Sequence, residues 1–163
     1  MNEIILVEGK IDFNVIEKKI FNNNSLVVSF DFDSHKTLNQ NKIKHKLVED
    51  YFSEEDKIEI DSFSLKLGTS WYKNEKISQY LEYDKINLGS LLELEMPSYF
   101  LKILKRVIGI KKIVEKEEPK KIISYSLKKY VNEFCKKKEI TIKNYEKRKE
   151  TGLFFNEISI PLS

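Results

Sequence analysis

Cysteine, proline and glycine are scarce in this chain, at one, three and five of 163 residues. The lone Cys135 can close no internal disulfide and build no cysteine-rich zinc site, and its isolation fits a reducing compartment. No stretch of about 18 apolar residues occurs, and the amino-terminal residues lack the basic segment and apolar core of a secretory signal. The expected location is therefore cytoplasmic, at most peripheral to the inner face of the membrane. Charge of one sign is lacking as well. Twenty-nine Lys and Arg against 26 Asp and Glu leave a net charge of only +3. That balance does not call for nucleic acid as a partner. G-x-G-x-x-G and G-x-x-x-x-G-K-[ST] are both absent, so dinucleotide and P-loop chemistry have no local support.

What is present is a globular composition, 40% hydrophobic and 34% charged, at a length that suits one domain. Ile4-Ile5-Leu6-Val7 reads as a buried strand closed by Glu8-Gly9. Asp12 is placed to cap a helix carrying Phe13, Ile16, Ile20 and Phe21, and Asn22–Asn24 to end it as a turn. The run Leu26–Phe30 completes a β-α-β unit of about thirty residues. A short helix over Ser34–Asn41, N-capped by Ser34, and a strand over Ile43–Val48 are expected next. Ser53-Glu54-Glu55-Asp56 resembles a capping box, and the helix it opens would bury Ile60, Phe63, Leu67 and Trp71, weakened near its end by Gly68.

Asn74–Asn87 has no clear period and reads as an irregular connection. Leu88–Lys116 is strongly helical, and Pro97 divides it into two helices or kinks one. Lys121–Tyr125 and Ile140–Ile142 are the fourth and fifth strands, around a helix marked by Leu127, Tyr130, Val131 and Phe134. Alternating strands and helices give a Rossmann-like α/β fold with a parallel sheet of about five strands. The domain is expected over residues 1–150, with 151–163 a tail or the start of a linker to a missing second domain.

The chemistry concentrates at strand ends, where open α/β sheets place ligands. Asp31, Asp33 and His35 follow the second strand and are the candidates for a general base. Glu8, Lys10, Lys36, Tyr125 and Ser126 are candidates for binding substrate. His45 and Cys135 read as structural, and Trp71 and Tyr72 as core rather than as a platform for sugar stacking. The basic runs Lys136–Lys138 and Lys143–Lys149 read as solvated faces, with weak attraction to an anionic membrane surface as the sharper alternative.

Two resemblances attach to these residues. Asp31 and His35, Ile43-Lys44-His45, Trp71-Tyr72, Ile86-Asn87-Leu88 and Pro119-Lys120-Lys121-Ile122-Ile123 follow one another in an order that resembles the amino-terminal domain of GT-B glycosyltransferases of surface polysaccharide synthesis. The resemblance runs from residue 4 to about 145. It implies the acceptor-side half of a two-domain enzyme, inactive alone and without a cofactor of its own. Its partners would be a nucleotide-sugar-binding domain, in the same or another chain, and a glycan or lipid-linked acceptor.

Separately, Val7-Glu8-Gly9 with Asp31-Phe32-Asp33 looks like the Toprim fold of primases, topoisomerases and small nucleases. That likeness implies Mg²⁺ held by Glu8, Asp31 and Asp33. Two features depart from it: the carboxylates fall on consecutive strands, and Ser34-His35-Lys36 stands where a glycine is usual. A non-catalytic α/β interaction domain is the third reading.

Overall fold

The apolar runs of the sequence pair into strands, and helices cover both faces of the sheet they form. The structure is a computed structural model that describes residues 3–21, 25–135, 140–146, 152–155 and 158–161. Along the chain the strands are β1 (Glu3–Val7), β2 (Leu26–Ser29), β3 (Lys46–Leu47), β4 (Glu82–Tyr83), β5 (Ile86–Asn87), β6 (Lys121–Tyr125), β7 (Thr141–Tyr145), β8 (Gly152–Phe155) and β9 (Ile158–Pro161). The α-helices are α1 (Phe32–Gln40), α2 (Glu54–Ser70), α3 (Glu75–Leu81), α4 (Met96–Glu117) and α5 (Lys128–Cys135).

Five strands form one all-parallel sheet in the order β3-β2-β1-β6-β7. Two strands lead outward from β1 on one side and two on the other, which is the doubly wound, Rossmann-like order. β1 is buried on both faces, as expected of a central parallel strand. On one face Ile4, Leu6, Val28 and Ile122 pack against Ile110, Ile113 and Val114 of α4 and Val131 of α5. On the other, Ile5, Val7, Val27 and Ile123 meet Leu38 of α1 and Ile11 and Ile16 of the β1–β2 connection.

That connection departs from the expected helix. Asp12 Oδ1 accepts from its neighbour two residues on, the Asn14 N–H, at 2.8 Å, closing a turn instead of capping a helix. Only a 3-10 turn at Lys18–Ile20 follows. The segment is pinned from the sheet, because Tyr125 Oη accepts from the Asp12 N–H at 2.9 Å. The expected turn at 22–24 and the basic run 136–138 lie outside the described residues, as do residues 147–149 of the second basic run.

Other boundaries move for local reasons. Asp31, not Ser34, caps α1: its backbone is extended and its carboxylate accepts from Ser34 N–H. The third strand shrinks to Lys46–Leu47 at the sheet edge and passes into a 3-10 turn, Val48–Tyr51. Pro97 lies in the first turn of α4, where its missing N–H has no helical partner to lose, so the break falls before the helix and introduces no kink. Leu88–Leu92 ahead of it is a 3-10 turn.

α2 buries Ile60, Ser64 and Gly68 against α4, while Phe63 stays exposed. Asn74–Asn87 is ordered, as α3 and the β4–β5 hairpin. In the tail, β8 and β9 pair antiparallel.

α4 runs antiparallel to the strands. Its Arg106 reaches Glu8, just beyond β1, and its last residue Glu117 leads back to the start of β6. The segment Met96–Lys105, about 15 Å of helix, therefore continues past the carboxyl edge of the sheet. Between α2 and α4 in the chain lies a lobe made of α3, the hairpin and the 3-10 turns Trp71–Lys73 and Leu88–Leu92, which packs on α2 through the first of these turns.

Candidate functional site

The carboxyl edge of the sheet opens into a cavity of about 470 Å³ lined by Glu8, Phe30, Asp31, Phe32, Asp33, Lys102, Lys105 and Arg106. A neighbouring cavity of about 300 Å³ shares Asp31, Phe32 and Lys105 and adds Ser29, His35, Leu47 and Glu49. β1 delivers Glu8, β2 with the first turn of α1 delivers residues 29–35, and α4 supplies the basic wall. Lys102, Lys105 and Arg106 are spaced i, i+3, i+4, which puts them on one helix face.

Asp31 is fully engaged in structure. Its Oδ2 accepts from Gly9 N–H at 2.8 Å, and its Oδ1 accepts from Ser34 N–H at 2.9 Å and Ser34 Oγ at 2.6 Å. Gly9 enters this bond at φ +75, a conformation open to glycine without strain. One carboxylate thus caps α1 and ties it to the loop after β1.

Glu8 accepts from Arg106 Nε at 2.7 Å, a charge-assisted length. Arg106 also donates to Tyr130 Oη at 3.3 Å and lies 5.4 Å from that ring's centre. Burial pushes the Glu8 carboxyl above the usual carboxylate range, against the pull of Arg106, while the charge of Asp31 pushes the same way as burial. For Arg106, burial works to lower the pKa, but Glu8 and Tyr130 together outweigh it and hold the guanidinium more firmly protonated. Glu49 pairs with Lys105 across the second cavity.

That leaves Asp33 and Lys102 as the charged groups on the larger cavity with neither an ion pair nor a side-chain hydrogen bond among the described residues. Phe32, 73% exposed, presents its ring at the rim.

His35 and His45 form a ladder that the sequence does not show. His45 Nδ1 donates to the Ile43 carbonyl at 2.8 Å, which leaves Nε2 to accept from His35 Nδ1 at 2.8 Å. His35 Nε2 then accepts from Asn39 Nδ2 at 3.0 Å. In this arrangement both ring nitrogens of His35 are engaged, Nδ1 with His45 and Nε2 with Asn39.

Of the residues expected to act, Glu8, Asp31, Asp33 and His35 meet at these cavities. Tyr125 does not: its side chain is 0% exposed, and its hydroxyl serves the β1–β2 connection. Ser126, at φ 66 just after β6, donates its N–H to the Tyr145 carbonyl at the end of β7. Lys10, Lys36 and Ser126 are exposed and line neither cavity. Trp71 and Tyr72 sit at the base of the lobe, with Tyr72 buried and bonded to Glu93 at 2.9 Å.

The basic wall of α4 was missed. Its only sequence signal was the i, i+3, i+4 spacing of three cations within an otherwise apolar helix.

The donor set does not suit Mg²⁺. Glu8 faces a guanidinium, Asp31 accepts from three donors on Gly9 and Ser34, and among the described residues no group of three or more His, Cys, Asp or Glu side chains is placed to hold a metal ion. No described helix is long and apolar enough to cross a membrane. Comparison of the chain with protein-family models, with curated proteins and with solved structures finds no match.

Proposed function

We propose that this chain is the acceptor-side domain of a GT-B-type glycosyltransferase of surface glycan synthesis, with the nucleotide-sugar half supplied by another domain. The supporting observation is the larger cavity. It sits at the carboxyl edge of a Rossmann-ordered sheet, it is lined by acids and bases in near balance, and it has an exposed aromatic ring at its rim. Charged pairs held apart from bulk water bind vicinal hydroxyls by accepting and donating at once, and an aromatic face packs on sugar C–H groups. A strongly ionic ligand would call for charge of one sign, which this cavity lacks.

In such a transfer the acceptor hydroxyl gives its proton to a base as its oxygen attacks the anomeric carbon. The bond from that carbon to the nucleoside diphosphate breaks, and the diphosphate takes the electron pair. Asp33 is the carboxylate free to serve as base. Asp31 positions the loop and helix that carry it.

The test is saturation-transfer NMR of the chain with a panel of neutral, amino and acidic oligosaccharides. At least one class should bind, and Phe32→Ala should weaken it by about tenfold. Asp33→Ala should lower binding with thermal stability unchanged, whereas Asp31→Ala should lower stability by about 1–2 kcal/mol through loss of the α1 cap. Absence of binding to the whole panel, or a rise in melting temperature with millimolar Mg²⁺ that Glu8→Ala removes, would overturn the reading.

A further inference from the structure

The two cavities at the sheet edge are neighbours with one wall in common, made by Asp31, Phe32 and Lys105. Phe32 is the first residue of α1, and its exposed ring lines both cavities, offering apolar surface to each. Small-ligand sites run to about 300–1,000 Å³. At about 470 and 300 Å³ the cavities lie low in that range. Each suits one small ring, and a ligand of two linked rings is needed to fill both.

Their chemistry differs. The larger cavity holds Asp33 and Lys102, which have no ion pair among the described residues. The smaller has no carboxylate or ammonium left unpaired. Its Glu49 is paired with Lys105, its Asp31 accepts from three donors, and both ring nitrogens of His35 are engaged. Leu47, half-buried, adds an apolar wall. An ionic group brought into such a cavity loses water and gains no partner. An uncharged ring packs there against groups already held in place, His35 by His45 and Asn39, so little side-chain freedom is lost on binding.

We infer that the glycan acceptor is at least two sugar units long and spans both cavities across Phe32. Its terminal unit lies in the larger cavity, where Asp33 faces the hydroxyl to be extended, and an uncharged second unit lies in the smaller. This rests on the reading of the chain as a glycan-acceptor domain, to which it adds the length of the acceptor and the charge of its second unit.

The probes are methyl glycosides of glucose, galactose, mannose, N-acetylglucosamine and glucuronic acid, titrated by NMR into the isotope-labelled chain. Each is used alone, with glucose as second unit, with glucuronic acid as second unit, and with two glucose units. In a series that binds, the first glucose unit should tighten binding by about tenfold, and the next by no more than about twofold. Glucuronic acid as second unit should bring no gain. The amide signals of Leu47 and Glu49 should move with the glucose-extended sugar and not with the single one. Leu47→Trp, which fills the smaller cavity, should return the two-unit ligand to the affinity of the single sugar. If that variant loses its fold, saturation-transfer spectra of the wild type supply the same answer. Both rings of the two-unit ligand should receive saturation, and the third ring of the longer one should not.

Equal affinity for the single and the glucose-extended sugar would overturn the inference and leave the glycan reading standing. So would an equal gain from glucuronic acid, or a gain that repeats with every added unit. Binding of none of the probes would overturn both.

Discussion

At Glu8 two effects oppose each other. Burial disfavours the carboxylate and the Arg106 hydrogen bond favours it, with burial the larger. A carboxyl whose pKa is higher in the fold than in the unfolded chain holds its proton more tightly when folded. Glu8 therefore favours the folded state most at low pH, and that contribution is lost as pH climbs from about 4.5 through the folded pKa. Arg106→Met removes the main opposing interaction, so the Glu8 pKa should rise further. The variant should be less stable than wild type by about 1–3 kcal/mol near neutral pH. The gap should narrow as the solution is acidified and Glu8 becomes neutral. Carbon-detected NMR titration of the Glu8 carboxyl, beside urea unfolding at several pH values, checks both halves. A Glu8 pKa that does not move in the variant would show that Arg106 has no hold on it.

The same residue shows what was legible at this scale. Glu8, Asp31 and Asp33 stand directly after apolar runs, so a strand-end site could be read from them. Arg106 lies 98 positions from Glu8 and no local pattern joins the two. The division of labour between Asp31 and Asp33 was also hidden, because which carboxylate turns inward depends on the extended backbone of Asp31 and the position of Gly9.

Elements were legible where a single period ran long enough, and misread where one polar side chain or one glycine decided the outcome. α2 was expected from its capping box, which forms with Ser53 and Asp56, and Lys112 of α4 reaches the same Asp56 carboxylate. That pairing, helped by Ser53, holds the Asp56 carboxyl down at about 2. Its buried face was misassigned, because Phe63 and Leu67 outweigh Ser64 and Gly68 on any hydrophobicity scale.

Gly68 is small for a reason: a Cβ there would overlap the backbone nitrogen and ring of Pro97. Gly68→Ala improves helix propensity by about 1 kcal/mol, yet it must push the two helices apart. Overpacking of this kind costs about 1–3 kcal/mol, and here the obstacle is a proline ring and backbone that cannot rotate away. The variant should come out net destabilised, by about 1 kcal/mol or more in urea unfolding. A gain in stability would mean that the ends of α2 and α4 separate without penalty.

Across the whole molecule, the sheet was readable because its three central strands, β1, β2 and β6, are apolar runs set off by helical or turn segments, and their alternation with helices admits few topologies for the short or half-polar edge strands β3 and β7. The lobe was not, because its segments are short and α3 buries none of its residues. Nothing in a polar, aromatic stretch tells a local period from its absence. That difference in burial is also a difference in local stability. β1 and β6 have four fully or nearly fully buried residues each and are covered on both faces. The lobe rests on a few anchors, chiefly Tyr72 with its bond to Glu93 and Asn87 bonded to Ser78. Opening it exposes little additional apolar surface, so it should unfold on its own at a lower free energy than the sheet. Native-state hydrogen exchange under mild denaturant should show β1, β2 and β6 exchanging only with global unfolding, and residues 75–92 exchanging several kcal/mol below it. Anchoring by Tyr72 gives the ordering a control: Tyr72→Phe removes its hydroxyl bond and should lower the opening energy of the lobe by about 1 kcal/mol, with the sheet amides unchanged. If lobe and sheet instead open together at one energy, the lobe is coupled to the core through α2 and α4 more tightly than its burial allows, and the two-unit picture fails.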